Sequence, residues 1–207
     1  MKKLIICGIV LMLYSFMPKL QAQLDVGMKA GVNLSDFWVS ESVKLESSMK
    51  TGFSFGNFFR YQYRDSRGVE ADILFRYQNS EMKNSYVGKT YDCHFLSVEL
   101  PIYNMIQAEI NQNMLFFGYG LFTSFGIISR FKSEKLRIDP YKKNSTNNKT
   151  ILYRWNYGVG LILGYELASR LQFNLNYQLG FRNVIDDDSD RGSMITRLME
   201  LGIGYRF

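Results

Sequence analysis

His94 is the sole histidine of this 207-residue chain, so any mechanism that moves a proton through imidazole must use it. Ser80, Ser85, Ser97 and Glu99 lie near enough in sequence to complete a Ser–His–acid set, the arrangement that activates a hydroxyl for acyl transfer. The local alternation separates them, however: His94 is in phase with Leu96 and Val98, whereas Ser97 and Glu99 point the other way. No Gly-x-Ser-x-Gly elbow occurs either. In "DDDSDRG", Asp186, Asp188 and Asp190 have the spacing of the first ligands of a calcium loop, yet Gly192 arrives one residue late and Arg197 stands where the chelating Glu belongs. That stretch reads as a solvated acidic loop, with bridging through divalent cations to an external polyanion as the alternative. "GKT" at 88–90 lacks the leading glycine of a phosphate loop, and no helix follows Gly118–Tyr–Gly120 or Gly158–Val–Gly160. No catalytic, cofactor or metal residue is expected.

A different chemistry links Lys29, Arg60, Glu70, Asp72, Arg76, Glu99, Glu166, Glu200 and Arg206. Each falls on the polar side of an alternating segment, and both signs are represented about equally. Gathered inside a narrow space, such groups must find partners, because an unpaired buried charge is too costly to keep. A salt-bridged plug is the expectation; an ion path tuned by the same residues is the alternative.

The segments that would gather them repeat with period two in eight places: 25–33, 51–63, 69–78, 92–105, 114–128, 152–167, 171–181 and from about Met194 to the end. The clearest sets Leu171, Phe173, Leu175, Tyr177, Leu179 and Phe181 against Gln172, Asn174, Asn176 and Gln178. In the second, Asn57 and Phe58 are expected to break the phase. Short turns ("RDSRG", "QAEINQN", "ASR") alternate with longer polar stretches at 34–50, 79–91, 129–151 and 182–193. Tyr 14, Phe 16 and Gly 17 with only Pro 3 suit strands, and no mature segment holds the ~18 apolar residues of a membrane helix.

The start explains the environment. Lys2 and Lys3 precede an apolar run from Leu4 to Met17, with Pro18 and Ala22 after it, the order of a secretory signal peptide. Cleavage is expected after Ala22, giving residues 1–22 as signal and 23–207 as one domain. Lys2, Lys3 and Lys19 leave with the signal, so the formal charge of +6 falls to +3 and gives no support to nucleic-acid binding. Cys93 is then the remaining cysteine, and no internal disulfide can form.

An exported chain of eight alternating strands with no membrane helix is expected to be an all-β, eight-stranded, antiparallel up-and-down transmembrane barrel. In hydrocarbon every backbone amide needs a partner, so the sheet closes, and its oily side faces lipid. Short turns on the side of both termini place that side in the periplasm. A soluble eight-stranded barrel would invert the two faces; lumen glycines, the tyrosines near strand ends (Tyr63, Tyr77, Tyr157, Tyr177, Tyr205) and the terminal Phe207 argue for the membrane.

"GMKAGVNLSDF", "GFSFGNFFRYQYRD", "LSVELPIYNMI" and "LGIGYRF" resemble, in order, segments of PorT-like outer-membrane β-barrel proteins. The resemblance spans the mature chain, with Asn104 standing where such proteins often carry Lys. It implies an eight-stranded barrel of a Gram-negative envelope, inserted by barrel-assembly machinery that recognises the final strand, here ending Tyr205–Arg206–Phe207. It implies no defined activity. The leading expectation is therefore a structural or interaction barrel whose external loops meet the environment or an unknown envelope partner. A narrow channel or secretion accessory comes second, and a lipid-modifying enzyme third. Outer-membrane lipid and lipopolysaccharide are expected partners, the basic stretch "SEKLRIDPYKKNSTNNKT" being one point of contact.

Overall fold

The computed structural model describes residues 24–39, 45–84, 89–133, 136–142, 150, 152–184 and 194–207. The expected signal peptide, Ser85, Gly88, the acidic run 186–190 and residues 143–149 of the basic stretch lie outside them. Among the described residues nine strands are present: β1 (Leu24–Val39), β2 (Leu45–Arg64), β3 (Arg67–Asn84), β4 (Lys89–Ile110), β5 (Asn113–Ser133), the three-residue β6 (Leu136–Ile138), β7 (Trp155–Glu166), β8 (Leu171–Gly180) and β9 (Met194–Arg206). All except β6 join in one antiparallel ring. Each pairs with its predecessor in the chain, β5 with β7, and β1 with β9, which closes the sheet.

Burial alternates along the strands with the oily residues outside. Leu201 is 67% exposed and Phe53, Ile102 and Tyr205 are open too, whereas Arg60 and Arg76 are 0% exposed. Water would not tolerate that surface; acyl chains would. At the end carrying both termini, Tyr205 meets Phe207 edge to face, and the hydroxyls of Tyr63 and Tyr119 flank the outward Asn104 amide. Toward the other end, Phe53 pairs with Tyr77 and Phe125 with Trp155. These are aromatic belts at the two edges of an apolar zone.

The turns at the termini end are tight. Ile110 pairs with Asn113 across Asn111 and Gln112, whose φ values of 50° and 67° are the left-handed pair that matches strand twist in a two-residue hairpin. The opposite end is tall. β4 has 22 residues, rising roughly 55 Å at ~3.3 Å per residue and about 40° of tilt, against an apolar band of about 25 Å.

Three sequence expectations change. First, the supposed break at Asn57 and Phe58 is absent: Asn57 faces out, Phe58 faces in, and the phase runs on. Second, much of the expected loops 34–50, 79–91 and 129–151 is strand. Beyond the membrane the outer face meets water, so the oily–polar contrast that marks a strand in lipid fades while backbone pairing continues. Third, the phase of β5 reverses at a bulge. Leu96 pairs with Ile128 but Ser97 with Gly126, leaving Ile127 as an extra residue, and Ile127 and Ile128 both face out. Arg154 pins the bulge by donating to the carbonyls of Gly126 and Ile127 at 3.3 and 3.2 Å. Gly126 is required there, since a Cβ would overlap the Tyr141 ring.

Above the bulge the barrel mouth is filled by an apolar cap. Phe37, Met82, Cys93, Phe95, Leu152, Val184 and Met194 form its core, with Tyr91, Phe131 and Tyr141 against it. Burial pushes the Tyr141 phenol up to about 12, despite the Arg154 guanidinium 4.9 Å from its ring centre.

Candidate functional site in the barrel lumen

Strand alternation sends one residue in two inward, and ring closure brings those residues together from opposite walls. Lys29, Arg60, Glu70, Asp72, Arg76, Glu99, Glu166 and Glu200 are buried inside the ring, and Arg206 is half-buried at the termini end. They form two decks.

The deck nearer the termini is a continuous chain of alternating charge. Asp72 and Glu70 take Lys29 Nζ at 2.8 and 2.5 Å. Glu70 also accepts from Arg60 Nε at 2.7 Å, and Arg60 Nη1 donates to Glu166 at 3.1 Å. Glu166 accepts from Arg206 at 2.7 Å and from the Gln172 amide at 2.8 Å, and Arg206 reaches Asp25 at 3.1 Å. The chain crosses the barrel, drawing on β1, β2, β3, β7, β8 and β9. No single strand could satisfy its own charge.

The second deck centres on Arg76. Its guanidinium donates to Glu99 at 2.5 Å, to Gln178 at 2.7 Å and to Glu200 at 3.2 Å. Gln178 returns a bond to Glu99 at 2.6 Å, while Ser54 and Asn176 donate to Glu200 at 2.6 and 3.3 Å. Every carboxylate of this deck has at least two donors, the condition under which buried charge is tolerable.

Apolar side chains seal the space beside the charges. Tyr103, Met105, Phe116 and Ile162 form a buried cluster from β4, β5 and β7. Phe58 lies across from them, with the Arg60 guanidinium 5.6 Å from its ring centre and 4.8 Å from that of Phe116. Such a cation–π contact is worth about 2 kcal/mol when desolvated. Gly164 makes the room: a Cβ there would overlap the Phe116 ring.

Sequence reasoning missed Phe58, Tyr103, Met105, Phe116 and Ile162, because apolar residues were assigned to lipid. A signal existed in the doublets Phe58–Phe59 and Phe116–Phe117, where an alternating strand must send one ring inward. It also missed Asp25 and the outer ion pairs, Arg197 with Asp36 at 2.6 Å and Lys50 with Glu81 and Asp92 at 2.8 and 2.5 Å. His94 faces outward as its phase required, with its Nδ1 2.7 Å from Asn79 Oδ1 and 3.1 Å from the Tyr77 hydroxyl. Ser80, Ser97 and Glu99 face the barrel interior, away from His94, so none of these three joins it. Among the described residues, no cluster of His, Cys, Asp and Glu could hold a metal.

A closed ring with oil outside and paired charge inside defines an integral membrane barrel, and the comparisons place it. The family profile described as outer membrane protein beta-barrel domain matches residues 19–186. The chain belongs to that family and resides in the outer membrane. Comparison with curated proteins finds no match. Among solved structures, the outer membrane protein OprG from Pseudomonas aeruginosa is similar, at 11% identity and a TM-score of 0.51 over 89% of this chain and 96% of that one. The attachment invasion locus protein Ail of Yersinia pestis gives 15% identity and 0.46 over 89% and 99%, and Neisserial surface protein A gives 9% and 0.49 over 88% and 97%. At 11% identity the likeness to OprG supports the barrel fold alone, and nothing is drawn from the two likenesses below 0.5.

Proposed function

We propose that this protein is a closed, non-conducting outer-membrane barrel whose tall outer wall and external loops do the interacting, with no catalytic role. The observation that carries this reading is the occupied lumen: two ion-paired decks and the Phe58, Tyr103, Phe116 and Ile162 side chains span it from wall to wall. Eight strands leave an interior that side chains can fill, and here large ones fill it. The PorT-like resemblance adds an architecture and no pathway. Export through a signal cleaved near Ala22, and insertion by assembly machinery that reads Tyr205 and Phe207 on the last strand, complete the proposal.

Planar-bilayer recording of the purified, refolded protein tests it. The expected outcome is a flat current trace at ordinary salt. Steady unitary steps that vanish on Glu99→Gln or Arg76→Gln substitution would overturn the plug and reassign the lumen as a narrow ion path.

A further inference from the structure

The β5 bulge has a chemical result on the outer wall. Below it the outward residues of β5 are odd-numbered and oily; above it they are even-numbered, so Arg130 and Lys132 face out and Phe131 turns in to the cap. Register then aligns Lys50, Asn79, His94 and Arg130 in one row across β2 to β5, directly above the row of Tyr77, Leu96 and Ile128. One step higher, Glu81, Asp92 and Lys132 form the next row. A cavity of about 380 Å³ opens here on the outside of the barrel, bounded by Tyr77, His94, Leu96, Ile128, Arg130 and Lys132.

Its charges are unevenly matched. The two neighbouring carboxylates, Glu81 and Asp92, are both engaged by Lys50. Asp92 is the register partner of Lys132, but its Oδ1 holds the Lys50 ammonium at 2.5 Å. Among the described residues, neither Arg130 nor Lys132 forms a salt bridge. Arg130 and Lys132 therefore stand over an apolar floor at the edge of the aromatic belt, Lys132 acting on Asp92 only at longer range than a salt bridge.

We infer that this groove seats a phosphorylated lipid of the outer leaflet, with its phosphate between Arg130 and Lys132 beside His94, and its acyl chains against Leu96 and Ile128. Charge complementarity selects the headgroup, and the oily row beneath selects a lipid over a soluble anion. The leaflet assignment rests on the long-loop end facing outward, whereas the binding chemistry does not.

Native mass spectrometry of the full-length protein, purified in a neutral detergent and offered bis-phosphorylated lipid A, tests the site independently of orientation. The Arg130→Gln/Lys132→Gln variant should retain this lipid ~25-fold less, at roughly 5-fold per lost charge, and Lys132→Gln alone roughly 5-fold less. Arg64→Gln/Arg67→Gln, at the termini-side turn between β2 and β3, should retain it like the parent. Heat-modifiable gel mobility verifies that each variant is a folded barrel. Equal retention by the double variant, or equal retention of fully dephosphorylated lipid A, would overturn the proposal.

Discussion

Arg60 is the residue on which the lower deck turns. It sits between Glu70 and Glu166 with no exposure, so shortening it breaks the chain of charge and leaves Glu70 to Lys29 and Glu166 to Arg206 and Gln172. Arg60→Ala should cost about 3–5 kcal/mol, the range for removing one partner of a buried ion pair. Urea unfolding in lipid vesicles reads this directly, and a loss below ~1 kcal/mol would mean that the deck is hydrated. Coupling should be visible as well. Adding Glu166→Gln to Arg60→Ala should recover part of the loss, because neighbouring sites in one network are non-additive. The membership of this deck was readable in the sequence, since Glu70, Glu166 and Arg206 each occupy the polar phase of an oily segment. Its apolar seal was not. Phe116 and Ile162 hold inward positions by phase, but their oily type matches the lipid face, so residue type masks what the period implies.

At the scale of the element, the bulge in β5 decides what the outer wall presents. Deleting Ile127 would restore one phase along the whole strand, turning Arg130 and Lys132 inward and Phe131 out. The expected result is a loss of more than ~3 kcal/mol, since two cations would enter the mouth with no described carboxylate placed for them. Chemical unfolding with Phe131 replaced by Trp as a fluorescent reporter would show both the loss and the move of the ring to the outer face. An unchanged midpoint would show that the strand absorbs the deletion above the membrane. Strand positions within the apolar zone were legible because lipid imposes a strict contrast, as in Leu171–Phe181. Above it β4 runs Lys89–Thr90–Tyr91–Asp92–Cys93, where Tyr91 and Cys93 turn into the cap and Thr90 and Asp92 face outward, so the contrast of the apolar zone is inverted rather than continued. The bulge itself was hidden in Ile127–Ile128, a doublet that reads equally as the end of a strand.

For the whole molecule, unequal strand lengths build a barrel with one high side. β2 to β5 run 18 to 22 residues, while β7, β8 and β9 have 12, 10 and 13. If the high side projects from the cell, Lys132→Cys should react with a membrane-impermeant maleimide on intact cells and Arg67→Cys should not. The native thiol gives a quiet background, because Cys93 is fully buried in the cap. The opposite labelling pattern would reverse the orientation.

Ring closure carries one more consequence. β9 brings Arg197, Glu200 and Arg206, which answer Asp36, Arg76, Glu166 and Asp25 on distant parts of the chain. A polypeptide cut short before its final strand has an open edge and also a set of ionic debts it cannot settle in oil. A chain truncated before Met194 should therefore give no heat-resistant folded band when refolded into vesicles.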